Sequence, residues 1–148
     1  MGLPDFDSNG NLPIGEHTLL WPVFKARYGT NPKRNAILAQ IELWLVHMKQ
    51  AGCRTVFIDG SFICKKADPG DFDACWDNTG VDAKTLSPLL LDQTTAGRKA
   101  IKFAFGGDIK PDMACPPGSI RPYLKFFQTD RDGNRKGIVR IDLMEFDP

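Results

Sequence analysis

The sequence predicts a small α/β (α+β) domain in which a mixed sheet is packed by helices. Three observations predict it. Apolar residues recur at helical spacing over 32–51, β-prone runs follow at 55–58 and 72–76, and two further β-prone runs, 123–128 and 137–143, flank a polar turn. The chain has 148 residues, the length of one ordinary domain. At that size folding buries about 70% of the surface exposed by the unfolded chain, so 1–148 is read as one unit that needs no disulfide.

Taken in order, residues 1–30 are rich in Gly, Pro and Asn, yet they carry Leu12, Ile14, Leu19, Leu20, Trp21, Phe24 and Tyr28. That is too much apolar surface for a tail, and the arm is expected to pack on the body. Residues 21–28 read as a short helix with Pro22 in its first turn. Asn31 followed by Pro32 is an N-cap signal, and Ile37, Leu38, Ile41, Trp44, Leu45 and Met48 then trace one apolar face up to a stop at Gly52.

Residues 55–58 and 72–76 are strand-like, joined by a polar connection whose Ala67-Asp68-Pro69-Gly70 has turn chemistry, so the second strand folds back beside the first. Between 84 and 106 the pattern returns to two short helices. Residues 107–122, with Pro116-Pro117-Gly118, read as a long loop. The runs 123–128 and 137–143 around Asp130-Arg131-Asp132-Gly133-Asn134-Arg135 read as a hairpin.

Composition excludes several classes. Hydrophobic residues at 42% and charged residues at 25% are those of a globular chain. The apolar runs are far shorter than a membrane span, and no basic stretch followed by an apolar run opens the chain, so a cytoplasmic protein with no membrane partner is expected. Lys and Arg number 19 against 18 Asp and Glu, for a net charge of +1. With no basic run, that disfavours nucleic acid and requires any anion site to be local. Cys53, Cys64, Cys75 and Cys115 contain no C-x-x-C pair, and His17 and His47 are the only histidines, which argues against structural zinc. A P-loop pattern is missing. Asp130-Arg131-Asp132-Gly133 lacks the later Glu of a calcium loop.

The chemistry concentrates between Ile58 and Ala74. Gly60 after a strand lets backbone approach a phosphate closely, and Ser61 adds a hydroxyl and an amide. Alternation along the strand at 72–76 puts Asp71 and Asp73 on one face and Phe72 and Ala74 on the other. Two carboxylates projecting together make a hard oxygen site that suits Mg²⁺ or Mn²⁺. Lys65 and Lys66 stand in the connection near the expected phosphates, and Arg98, Lys99 and Lys102 lie on a helix that can present charge to the cleft.

This order of strand, apolar-Gly-Ser, a spacer of about ten residues and Asp-apolar-Asp on a strand resembles the signature of the nucleotidyltransferase superfamily that includes DNA polymerase beta. A closer resemblance, through Gly29-Thr30-Asn31-Pro32, Ala51-Gly52-Cys53, Asp59-Gly60-Ser61-Phe62, Gly106-Gly107-Asp108 and Lys136-Gly137-Ile138-Val139, is to a bacterial and phage family of short nucleotidyltransferase-like proteins. The resemblance implies a third carboxylate on a neighbouring strand. Asp142 is the choice by parity, since Val139, Ile141 and Leu143 can face the core while Arg140 and Asp142 face the cleft.

The expectation is therefore metal-dependent transfer of a nucleoside monophosphate from an NTP, such as ATP, to an acceptor hydroxyl. In it Asp71, Asp73 and Asp142 hold Mg²⁺ or Mn²⁺, and Gly60, Ser61 and Lys65 hold the nucleotide phosphates. The acceptor is open and includes a partner protein. Small members of the superfamily modify proteins, RNA ends or antibiotics, and many belong to toxin–antitoxin pairs. The alternative is a catalytically inactive domain of the same fold that binds a partner, as an antitoxin or a phage-encoded modulator.

Overall fold

The computed structural model describes residues 4–66, 68–130 and 132–147. Ala67 of the expected turn and Arg131 of the expected hairpin loop lie outside the described residues. Over the described residues the architecture is α+β: a mixed five-stranded sheet and four α-helices. The strands are β1 (Gly15–Thr18), β2 (Thr55–Asp59), β3 (Phe72–Trp76), β4 (Gly107–Pro111) and β5 (Gly137–Asp142), in the order β1-β5-β2-β3-β4. β2 runs antiparallel to both β3 and β5, whereas β1 is parallel to β5 and β4 is parallel to β3.

Described residues of the N-terminal stretch enter the main core. Leu12 and Leu19 are buried, and helix α1 (Trp21–Tyr28) inserts Trp21, Phe24 and Tyr28 into the main core. Helix α2 (Pro32–Gln50) is the predicted long helix. The side chain of Asn31 accepts from the Arg34 amide at 2.8 Å, a cap of the kind that contributes about 1 kcal/mol. Gly52, at φ +89°, follows its end and supplies the left-handed residue that β-carbon sterics disfavour elsewhere.

Alternation along the strands divides the sheet into two faces. Val56 and Ile58 of β2, Phe72, Ala74 and Trp76 of β3, and Val139 and Ile141 of β5 join α1 and α2 in the main core. Phe57, Cys75 and Ile138 form a smaller core on the opposite face with Tyr123 and Phe127. Helix α3 (Thr95–Phe105) buries Ile101 in the main core and is capped by Thr94, whose hydroxyl accepts from the Gly97 amide at 3.1 Å.

Four expectations are corrected. Residues 123–128 are not a strand: Tyr123–Phe126 is the short helix α4. Their aromatics sit at i and i+4 as well as in a β-prone run, and the helix is what puts Tyr123 and Phe127 together on the small core. The expected hairpin does not form: among the described residues the segment between the two runs holds an isolated bridge, Thr129 to Arg135, and β5 pairs with β1 and β2. Within the expected loop 107–122 lies strand β4, whose lone core residue Ile109 stands between Asp108 and Lys110. In place of the first short helix expected after residue 84 is a 3-10 turn, Pro88–Leu91.

Candidate functional site

β2 ends at Asp59, and Gly60, at φ +84° and ψ −166°, turns the chain into a 3-10 turn, Ser61–Ile63. A β-carbon at position 60 would collide with the carboxylate of Asp73, so glycine here permits that carboxylate to lie against the backbone. The turn is pinned from behind. The buried Arg34 of α2 donates to the carbonyls of Phe62 at 2.6 Å and Cys64 at 3.0 Å, and also to that of Lys66. The Tyr28 hydroxyl donates to the Ile63 carbonyl at 2.9 Å. Burial lowers the Arg34 pKa from its ordinary value. Its three carbonyl acceptors take the role a carboxylate would otherwise have.

The strand register sets three aspartates in a row. Asp59 of β2 is paired with Asp73 of β3, and Asp73 with Asp108 of β4. Neighbouring strands lie about 4.8 Å apart, so the row crosses three strands on the face opposite Phe72, Ala74 and Ile109. Asp71 stands two residues before Asp73, on the same face, as the sequence predicts.

Each acid has a different surrounding. Asp59 is buried and pairs with the nearly buried Lys136 at 3.0 Å. Asp108 pairs through Oδ1 with the buried Lys110 at 2.8 Å and through Oδ2 with Arg98 at 3.5 Å. Asp71 pairs through Oδ2 with Lys102 at 2.9 Å. Asp73 has no ion-pair partner among the described residues. Burial, together with the charges of Asp59, Asp71 and Asp108, raises its pKa to about 7. Burial raises that of Asp59 to about 6, opposed by Lys136.

The row divides one cleft into two compartments that share Asp71, Asp73 and Asp108. The larger, about 640 Å³, is walled by Gly60, Ser61, Lys66, Phe126, Phe127 and Lys136. The smaller, about 330 Å³, is walled by Thr95, Arg98, Lys99 and Lys102 of α3. Gly60, Ser61, Asp71 and Asp73 are thus brought together, and the three α3 cations expected near the cleft line it.

Two expected site residues lie elsewhere. Asp142 pairs with Thr55 at the opposite end of β2 from Asp59, roughly 13 Å away at strand rise. Its alternation is as expected, with Val139, Ile141 and Leu143 in the main core. However, β5 runs antiparallel to β2, which carries its last residue away from the cleft. Lys65 opens onto a separate depression lined by Phe6, Arg27, Tyr28 and Arg34, and its amide donates to the Gly10 carbonyl at 2.9 Å. Lys66 is the one that faces the acids.

Asp59, Asp108, Lys110 and Lys136 were missed by sequence reasoning. A signal for Asp108 was present: Gly106-Gly107 stops a helix, and Asp-Ile-Lys then alternates as a short strand. Among the described residues no three Cys, His, Asp or Glu side chains stand as a metal cluster, and Lys102 and Arg98 pair with Asp71 and Asp108. The donor set nevertheless fits a hard divalent cation: all oxygen, with a half-buried carboxylate, Asp73, whose charge no ion pair offsets. The cysteines are free, two of them buried.

A family model matches residues 4–142. The chain belongs to DUF6932, a family of unknown function. No curated protein matches this DUF6932 chain, and no solved structure does. No helix among its described residues is long and apolar enough to cross a membrane.

Proposed function

We propose that the chain is a metal-dependent nucleotidyltransferase that moves a nucleoside monophosphate from an NTP to an acceptor hydroxyl. The observation that carries this reading is the register of Asp73 with Asp108, beside Asp71 and against Gly60-Ser61. Asp108, on the strand next to Asp73, takes the third-carboxylate role expected of Asp142. A hard divalent cation on Asp71, Asp73 and Asp108 would supply charge neutralisation at the reacting phosphate.

The remaining roles belong to the chain itself. Gly60 and Ser61 hold the β- and γ-phosphates, and Lys66 and Lys136 add positive charge on the same wall. The acceptor oxygen forms a bond to the α-phosphorus, the α–β bridging P–O bond breaks, and pyrophosphate leaves with that electron pair. Asp108 receives the hydroxyl proton. Incubation of the protein with each labelled NTP, Mg²⁺ or Mn²⁺ and a cell lysate tests the reading. Label on the protein or on a lysate component, lost with Asp73→Asn, is the expected result, and no transfer from any of the four NTPs counts against it.

One observation favours a second reading, a catalytically silent domain that binds a partner protein as an antitoxin or phage-encoded modulator. Lys102, Arg98 and Lys110 neutralise two of the three carboxylates from within the chain. If those pairs are permanent, Mn²⁺ will not bind at millimolar concentration.

A further inference from the structure

The smaller compartment is lined by Thr95, Arg98, Lys99 and Lys102. Residues three and four apart share a helix face, so α3 turns one polar, strongly cationic stripe to the acids. Two of these cations are engaged by the carboxylates and Lys99 has no ion-pair partner among the described residues.

The engagement is uneven. Asp108 is anchored through Oδ1 by Lys110, whose side chain is 3% exposed, while its Oδ2 meets Arg98 at 3.5 Å, on a side chain 46% exposed. Among the described residues Asp71 meets only Lys102, whose side chain is 62% exposed. A buried lysine cannot leave its partner without being stranded away from water. Exposed pairs are weak and readily exchanged. Lys110 is therefore a fixed anchor, and Arg98 and Lys102 are removable.

We infer that the α3 side of the cleft is a phosphate-binding subsite for the acceptor, kept closed by the metal-binding carboxylates themselves. This rests on the metal-site reading above. A divalent cation held by Asp71, Asp73 and Oδ2 of Asp108 would take the places that Lys102 and Arg98 occupy on those carboxylates. The released cations, with Lys99, then bind an anionic group of the acceptor, whose chemical class is a phosphate-bearing hydroxyl compound. Because cations released from the carboxylates become available to phosphate, metal and phosphate binding reinforce each other, equally in both directions.

Mn²⁺ binding to the full chain, followed by electron paramagnetic resonance, tests this without any turnover. Lys102→Met and Arg98→Met remove a competitor for the metal and are expected to bind Mn²⁺ alone about three- to tenfold more tightly than wild type. Lys102→Arg, which keeps the charge, stays near wild type. Millimolar inorganic phosphate tightens Mn²⁺ binding by the wild type, and Lys99→Met combined with Lys102→Met abolishes that coupling. Thermal melts confirm that each variant is folded. Wild-type Mn²⁺ binding with no gain in Lys102→Met and Arg98→Met, or phosphate coupling that survives the double substitution, overturns this inference alone. A wild type that binds no Mn²⁺ overturns it together with the metal-site reading.

Discussion

The two ends of the central sheet hold similar numbers of aspartates and treat them in opposite ways. Where β2 begins, the acids turn back onto the backbone that follows them. The Met144 amide donates to Asp142 at 2.9 Å, the Thr79 amide to Asp77 at 2.9 Å, and the Lys84 amide to Asp82 at 3.0 Å. Where β2 ends, Asp59, Asp73 and Asp108 lie side by side in register, and two of them lean on lysines. An aspartate satisfied by the next amides closes a turn, as short polar side chains commonly do. Aspartates set against one another oppose folding and are retained where their charge has a use. The kind of partner, more than the number of acids, separates a scaffold from a site.

The sharpest way to break that comparison is to neutralise one acid from each end. Asp73→Asn is expected to lower the proposed nucleotidyl transfer by at least about 100-fold, because an electrostatic contact realised at the reacting phosphate accounts for roughly 2.7–4 kcal/mol. Asp142→Asn keeps the side-chain oxygen that accepts from Met144 and is expected to stay within about twofold of wild type. Initial rates under saturating nucleotide check both. Equal losses in the two variants would return Asp142 to the site and remove the distinction between the ends.

Much of this was legible in the sequence, and the part that was not has a physical reason. The long helix shows itself through apolar periodicity and an Asn-Pro cap. Gly60-Ser61 and the Asp71, Asp73 pair are local patterns that need no knowledge of the sheet order. The carboxylate proposed as the third one depends on strand direction and strand neighbours, which are set by long-range pairing. Parity correctly gave the face of Asp142, but only the antiparallel run of β5 against β2 decides which end it reaches. Asp108 escaped because its strand offers one core residue, Ile109, and a parallel partner covers for its weak propensity. Tyr123 and Phe127 fit either period, and the small core selected the helix.

A second experiment sharpens the comparison within the cleft end itself. Asp59 and Lys136 are almost fully enclosed and 3.0 Å apart, so each makes the other tolerable. Lys136→Met removes the cation and leaves a carboxylate buried alone, a change that typically destabilises by about 3–5 kcal/mol. Urea unfolding of the metal-free protein at pH 8 measures it. The double variant Lys136→Met with Asp59→Leu should recover most of the loss, since an apolar pair of similar volume carries no unpaired charge. A single variant as stable as wild type would mean that the pair is not enclosed as described.

The smallest expected effect is the dependence of metal-free stability on pH, and its sign follows from Asp73. Its folded pKa of about 7 lies above the ordinary carboxylate value of 3.8, so between those two values the folded state holds a proton that the unfolded state has lost. Stability must then fall as pH rises through this window, the penalty being absent below the unfolded value and complete above the folded one. Asp59, at about 6, acts in the same direction over a narrower range. Melting temperatures of the wild type and Asp73→Asn at pH 5 and pH 8, with chelator present, isolate the contribution. The variant should be the more stable by about 1 kcal/mol or more at pH 8, and the difference should shrink at pH 5, where Asp73 is protonated in the folded protein. A gap that is the same at both values, or that grows on acidification, would show that Asp73 is ionised and stabilised by partners the fold already contains, and the contrast between the two ends of the sheet would lose its electrostatic basis.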